Sequence, residues 1–256
     1  MNSAFPQPVL SDNYAWIAPA SKQARVFVVD PGEAGPVVAR LEQTDCTVAA
    51  IVLTHHHPDH TGGAAELAER YRAPVYGPAN ETIAAVDHPV GDGDRIELDG
   101  LGTVEVLGVP GHTAGHLAYL WRGLLFSGDS LFAGCCGRLF EGSAAQMHAS
   151  LQRLAALPEA TQLCCGHEYT VKNLEFACRI EPDNARLQAR LAHARELRSQ
   201  GQPTLPATLG EELATNPFLR TERAEVVAAA RQWAGDPNIS AGVETFAALR
   251  RWKDQA

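Results

Sequence analysis

Two absences narrow the field at once. No stretch of the chain approaches the ~18–20 consecutive apolar residues that a membrane-spanning helix needs. Basic residues are in the minority, 21 Lys and Arg against 30 Asp and Glu, for a formal net charge of −9. A chain this acidic lacks the basic face that phosphate contact requires, which argues against nucleic acid as a partner. The opening residues carry no basic segment followed by a long apolar run, so no signal peptide is expected. Six cysteines include the adjacent pairs Cys135–Cys136 and Cys164–Cys165, with no Cys-x-x-Cys. Adjacent cysteines rarely bridge each other, because a disulfide wants its Cα atoms ~5.5–6 Å apart. They read as small buried apolar residues in a reducing compartment, which points to the cytoplasm. No internal repeat or low-complexity tract is visible, and the 22 Gly and 16 Pro follow no collagen-like period. What is present is 256 residues, 45% of them hydrophobic. That is enough to bury a substantial core in one or two domains and too apolar for a disordered chain.

Two regimes follow along the chain. Up to about residue 165, short β-rich runs alternate with loops and a few helices. Strands are expected at Arg25–Asp30, Thr47–Leu53, Arg95–Leu98, Thr103–Val109, Leu117–Trp121 and Leu124–Ser127, and Gly-rich turns at 91–94 and 121–125 suggest hairpins between several of them. Helices are expected at Pro36–Gln43, Gly62–Tyr71 and Ala144–Leu157. The last has a Ser143/Gln146 capping box, Met147, Leu151 and Leu154 on one face, and Pro158 as terminator. Strands with interspersed helices point to an α/β arrangement in which helices cover sheet faces. Beyond about residue 170 the β signal disappears. Val171–Ile180, Asp183–Gln200, Leu209–Ala214, Glu222–Trp233 and Val243–Lys253 read as helices, with a second capping box at Thr208/Glu211 and a linker punctuated by Pro203 and Pro206.

The chemistry concentrates in Thr54-His55-His56-His57-Pro58-Asp59-His60-Thr61-Gly62-Gly63, directly after the apolar run 47–53. In an extended segment residues two apart point the same way, so His55 and His57 can converge on one ion. Asp59 and His60 follow the turn at Pro58 and can face a second position. One metal needs only three or four such groups, so the surplus argues for two. Further donors stand at the ends of other apolar strands: His112 in Pro-Gly-His-Thr-Ala-Gly-His, Asp129 in Ser-Gly-Asp, and His167 in Cys-Cys-Gly-His-Glu-Tyr. Taken singly, each could be a turn or capping residue. Asp30 ends its own strand and is a candidate acceptor for a ligand imidazole N–H, or a turn residue before Pro31-Gly32.

Together these motifs resemble the metallo-β-lactamase superfamily and, within it, the glyoxalase II (hydroxyacylglutathione hydrolase) family. The likeness runs nearly end to end, through Ser11-Asp12-Asn13-Tyr14, Gly137–Gly142, Tyr169–Leu174, Asn216–Arg220 and Leu249–Asp254. The His-x-His-x-Asp-His motif marks only the superfamily; the motifs of the helical tail narrow it. The resemblance implies a four-layer αββα sandwich over residues 1–168 and a small all-α substrate-binding domain over 169–256. It implies His55, His57 and His112 on one divalent metal, Asp59, His60 and His167 on another, and Asp129 bridging them. Zinc is the expected metal, with iron or manganese possible. Asp59 and Asp129 would act in catalysis with water acidified between the cations, leaving His56 and His116 as supporting or structural groups.

The implied reaction is hydrolysis of S-(2-hydroxyacyl)glutathione, typically S-D-lactoylglutathione. Its thiol can depart without prior protonation, since a thiol pKa lies near 8.5. Tyr169, Arg250 and Lys253 match the family's substrate-contacting positions, Arg138 stands at another where many members carry Lys, and Phe140 stands where members carry Tyr. Arg250 and Lys253 lie three apart and so share a helix face; on the residues alone they could equally complement the helix dipole. The rival readings are another hydrolase of the superfamily, a mononuclear-iron persulfide dioxygenase, and a catalytically silent binding module. Nothing in the sequence demands more than a monomer.

Overall fold

The structure is a computed structural model that describes residues 3–19, 25–44 and 46–256. The first sheet runs in the order β1 (Phe5–Val9), β2 (Asn13–Ala18), β3 (Arg25–Val29), β4 (Thr47–Val52), β5 (Val75–Pro78) and β6 (His88–Val90), antiparallel up to β3 and parallel beyond it. The parallel half is built through α1 (Ala34–Thr44), the single turn α2 (Pro58–Thr61) and α3 (Ala64–Tyr71). The second sheet starts with β7 (Arg95–Leu98), β8 (Gly102–Gly108), β9 (Leu117–Trp121) and β10 (Leu124–Gly128). A small hairpin, β11 (Leu131–Phe132) and β12 (Cys135–Cys136), and helix α4 (Ala144–Ala155) follow, and β13 (Gln162–Cys165) then pairs parallel to β10.

Alternation along the strands sorts the core into layers. In the first sheet Ala15, Ile17, Val26, Val28, Val48 and Ile51 face α1 and α3, where they meet Val37, Leu41 and Leu67. Their neighbours Tyr14, Trp16, Phe27, Val29 and Val52 face the second sheet and pack with Val104, Val106, Tyr119 and Phe126. Trp16 Nε1–H donates to Cys165 O at 2.9 Å and the Tyr119 hydroxyl to Leu53 O at 2.7 Å, so polar atoms that enter this dry interface still find partners. Met147, Leu151 and Leu154, all fully buried, set α4 against the second sheet and complete four layers. The Ser143/Gln146 capping box forms as expected.

The tail consists of α5 (Thr170–Ile180), α6 (Ala185–Ser199), α7 (Leu209–Thr215), a 3₁₀ turn (Pro217–Leu219), α8 (Ala224–Ala234) and α9 (Val243–Asp254). Two expectations need correcting here. Strand structure does return after residue 170: β14 (Ala207–Thr208) pairs antiparallel with β13 and extends the second sheet. Thr208 caps α7 by accepting from Glu211 N–H at 3.2 Å, but the reciprocal half of the box is missing because the Glu211 carboxylate turns toward Arg190. The tail also shares the main core, since Phe176, Phe218, Phe246 and Leu249 join the cluster that holds α4. Several strands carried no usable sequence signal. β1 contains Pro6 and Pro8, tolerable only because it is an edge strand, and β6 is three residues long with Pro89 in its middle.

A buried polar cluster fastens the tail to the β11–β12 hairpin. Glu212 is fully buried, pairs with Arg190, and accepts from Gly134 N–H at 2.8 Å and from Asn216 Nδ2 at 3.1 Å. Glu212→Ala leaves the Arg190 guanidinium buried without its carboxylate, and we expect a loss of about 3–5 kcal/mol in urea denaturation. A loss below about 1 kcal/mol, the range of an exposed pair, would contradict this.

Candidate metal centre

Four strand ends meet at one rim. Leu117 N–H donates to Thr54 O, Gly166 N–H to Gly128 O and Tyr14 N–H to Gly166 O, at 2.8–3.0 Å. The loops that leave β4, β8, β10 and β13 therefore face a common space. After β4 the chain stays extended through His55 and His57, and Pro58 then opens α2, its fixed φ suiting a first helical position. That turn moves Asp59 and His60 away from the preceding pair. Close approach at the end of β13 depends on Gly166, where a Cβ would lie 2.6 Å from Asp129 Oδ1 and 2.7 Å from His60 Cε1.

The donors gather in two groups. His57 Nδ1 lies 3.0 Å from His55 Nε2 and 3.1 Å from His112 Nε2. Asp59 Oδ2 lies 3.4 Å from His167 Nε2 and 3.5 Å from His60 Nε2. Within each group the donor atoms fall within 4.8 Å of one another. Asp129 stands between them: Oδ1 is 3.3 Å from His60 Nε2, and Oδ2 is 3.3 Å from His167 Nε2 and 3.6 Å from His112 Nε2. His60 Nε2 and Asp129 Oδ1 are buried without a well-formed hydrogen bond, an arrangement that a cation between them would satisfy. Imidazole and carboxylate together suit divalent zinc, iron or manganese, so the residues fit two such ions.

The outer nitrogens of these rings are also held. Asp30, buried and at φ 50°, accepts from Thr54 N–H at 2.8 Å and from the Thr54 hydroxyl at 2.6 Å, and it faces His60 Nδ1 at 3.0 Å. His112 Nδ1 faces Arg138 O at 2.8 Å and His167 Nδ1 faces Asp12 Oδ1 at 2.9 Å. In each case the contact fixes the ring and leaves Nε2 toward the centre. Asn13 Nδ2 donates to Asp59 Oδ2 at 2.9 Å. His116 is fully buried, stacks on His55, and accepts from Asp129 N–H at 3.1 Å. His56 points the other way, to Glu81 Oε2 at 3.0 Å. Sequence reasoning found Asp30 as an acceptor but gave no role to Asn13, Thr54 or Glu81. Asn13 opens β2, Thr54 follows β4 and Glu81 follows β5, and none of these positions has a ligand spacing.

Burial and charge divide the histidines. Burial pushes His55 and His116 well below the ordinary histidine range, and lowers His57 and His112. Burial opposes charge on His60 too, but Asp129 and Asp30 outweigh it and hold that imidazole well above its usual value. His167, resisted by burial and favoured by its bonds to Asp129 and Asp59, is raised to about 10. Asp59 is held low, first by its bond to His167.

Beside the centre lies a cavity of about 250 Å³ that brings Arg138, Tyr169, Arg250 and Lys253 together with Phe132 and Cys136. Tyr169 stacks on His167 with centroids 4.6 Å apart, which joins cavity and centre. Arg250 differs from the simple picture of a cation presented on a helix face. It is buried, and its guanidinium donates to Cys136 O at 2.8 Å and to Asp254 Oδ1 at 3.0 Å, with Nε left unpartnered. Phe140, 59% exposed, stands edge-on to His57 and His112 at the rim.

The profile of the metallo-β-lactamase superfamily matches residues 13–167, and that of the hydroxyacylglutathione hydrolase C-terminus matches residues 168–256. Among solved structures, ETHE1 from Myxococcus xanthus has a TM-score of 0.65 at 24% identity, covering 98% of each chain. TTHA1623, solved in a di-iron-bound form, has a TM-score of 0.60 at 27% identity, covering 84% of this chain and 100% of its own. Fold and donors thus define a metal-dependent hydrolase of the metallo-β-lactamase class. A hydroxyacylglutathione hydrolase of Halorhodospira halophila is 59% identical over 254 residues, 99% of both chains. The chain belongs to the hydroxyacylglutathione hydrolase family.

The two raised histidines give a test of the centre. Without a cation, His167, raised to about 10, carries a proton at neutral pH and His60 is shifted in the same direction, whereas a metal accepts only the neutral ring. Adding Zn²⁺ to metal-free protein at pH 7.5 should release protons, measured by calorimetry in buffers of different ionisation enthalpy. Binding without proton release would contradict the assignment.

Proposed function

We propose that this chain hydrolyses S-(2-hydroxyacyl)glutathione, with S-D-lactoylglutathione as the typical substrate, to glutathione and a 2-hydroxy acid such as D-lactate. This is the second step of the glyoxalase route of methylglyoxal detoxification. The observation that carries the reading is the presence of two complete donor sets with Asp129 between them, beside a cavity lined by cationic side chains. The name carried by the 59% identical relative supports it.

In this reading His55, His57 and His112 would hold one divalent cation and Asp59, His60 and His167 a second, with Asp129 available to both. Zinc is the metal we propose, with iron or manganese acceptable to the same donors. When bound, such a pair lowers the pKa of water from 15.7 to about 7 and stabilises charge developing on a carbonyl oxygen. Asp59, with 40% of its side chain exposed against 9% for Asp129, is the more open carboxylate and orients the attacking water by accepting its hydrogen bond. Tyr169, stacked on His167, sets the thioester beside the centre. Lys253 and Arg138 supply positive charge for the glutathione carboxylates, and Arg250 shapes the cavity wall through its bond to Cys136 O. The departing sulfur leaves as thiolate, so the chain needs no general acid.

Residues 1–168 would then form the catalytic domain and 169–256 the substrate-binding domain of a cytoplasmic monomer. Among the described residues no helix is long and apolar enough to cross a membrane. A mononuclear-iron persulfide dioxygenase would need one donor set only, and the completeness of the second favours hydrolysis.

Thiol release from S-D-lactoylglutathione, followed with a thiol reagent, tests the reading. Metal-loaded protein should be active and Asp129→Ala should fall to the uncatalysed rate; equal activity in the two would end the proposal. Lys253→Ala removes one charge-assisted contact to substrate, and KM should rise about tenfold while kcat stays within about twofold. An unchanged KM would place Lys253 outside the binding site.

A further inference from the structure

Glu81 is distant from every ligand motif in sequence and follows β5, yet only 3% of its side chain is exposed. A carboxylate buried to this degree costs free energy unless both oxygens are matched. Here they are. Oε2 faces His56 Nδ1 at 3.0 Å, while Oε1 accepts from Gly115 N–H at 3.1 Å and from the Thr113 hydroxyl. The loop can come this close because residue 115 is Gly: a Cβ there would sit 2.6 Å from Glu81 Cγ. On its other edge His56 faces Glu141, Nε2 to Oε1 at 3.6 Å, and Glu141 Oε2 accepts from Ala114 N–H at 2.8 Å. One buried carboxylate and one imidazole therefore tie together the loop after β4, the loop after β8 and the rim loop 137–142.

Two of the anchored residues adjoin metal donors. His56 precedes His57, and Thr113 follows His112, the two rings whose nitrogens stand 3.1 Å apart. The donors of the other set hang on different partners: His60 on Asp30, Asp59 on Asn13 and His167 on Asp12. We infer that Glu81 is a positioning residue for one half of the metal centre, clamping His56 to the 113–115 loop so that His57 and His112 meet at a single cation. The inference rests on the two donor sets proposed above. It also gives His56 a role that the ligand motif leaves unassigned.

The asymmetry is what makes the idea testable. Zn²⁺ binding to full-length metal-free protein, measured in competition with a chromophoric chelator, should resolve two sites in the parent chain. Glu81→Ala should weaken one of them about 10–100-fold, the size typical for loss of a partner behind a metal ligand, and leave the other within about twofold. kcat should fall with KM for the thioester unchanged. Glu81→Gln keeps an oxygen for Gly115 and Thr113 but not the carboxylate facing His56; it should show a smaller loss at the same site, and it carries the test if the alanine variant does not fold. Equal weakening of both sites, or of neither, would overturn the inference while the parent still binds two ions and releases thiol. A parent chain that binds fewer than two ions would overturn the underlying reading as well.

Discussion

Asp129 sits almost buried between three imidazoles, close to His60 and His167 at 3.3 Å and to His112 at 3.6 Å. A negative charge taken out of water at that depth is costly unless positive charge is brought to it. Here His60 and His167, both held above the ordinary histidine range, stand against it, and in the proposed reading the same oxygens and nitrogens would hold the cations. The rest of the rim is arranged around this requirement. Gly166 lets the end of β13 crowd the carboxylate, Gly128 lets the chain pass close to Thr54 and His116, and His116 accepts from the Asp129 backbone N–H so that the residue cannot turn away.

Outside the donors, acceptors keep the His60, His112 and His167 imidazoles aimed inward. Asp30 illustrates how the fold and the site depend on each other. Its carboxylate joins the end of β3 to Thr54 at the end of β4 and also holds His60. Parallel strands laid side by side thus deliver a supporting group and a ligand to the same corner. The helical tail contributes through packing: Glu212 and Asn216 hold the β11–β12 hairpin, and α9 brings Lys253 and Arg250 against that hairpin to close the cavity. A core shared between sheet and tail makes the position of those cations a consequence of the whole fold.

Much of this is legible in the sequence, and the limits are physical. Ligand motifs were readable because donors follow apolar strands at short fixed spacings, as in His55-x-His57-x-Asp59-His60. Amphipathic helices such as α4, with a cap at Ser143 and Met147, Leu151 and Leu154 on one face, were readable for the same local reason. Edge strands with proline, such as β1, were not, because pairing by a neighbour overrides poor local propensity. Nor was Glu81, whose partners lie 25 to 34 residues away and meet it only through the packing of loops. Arg250 shows a subtler limit. Helical spacing placed it correctly beside Lys253, but its inward turn to Cys136 O depends on a hairpin more than a hundred residues earlier in the chain.

The most direct measurement is an anomalous-scattering map of crystals grown with zinc. The account predicts two peaks, one amid His55, His57 and His112 and the other amid Asp59, His60 and His167, with Asp129 reaching both. A single peak, or a pair of peaks that Asp129 does not touch, would contradict it.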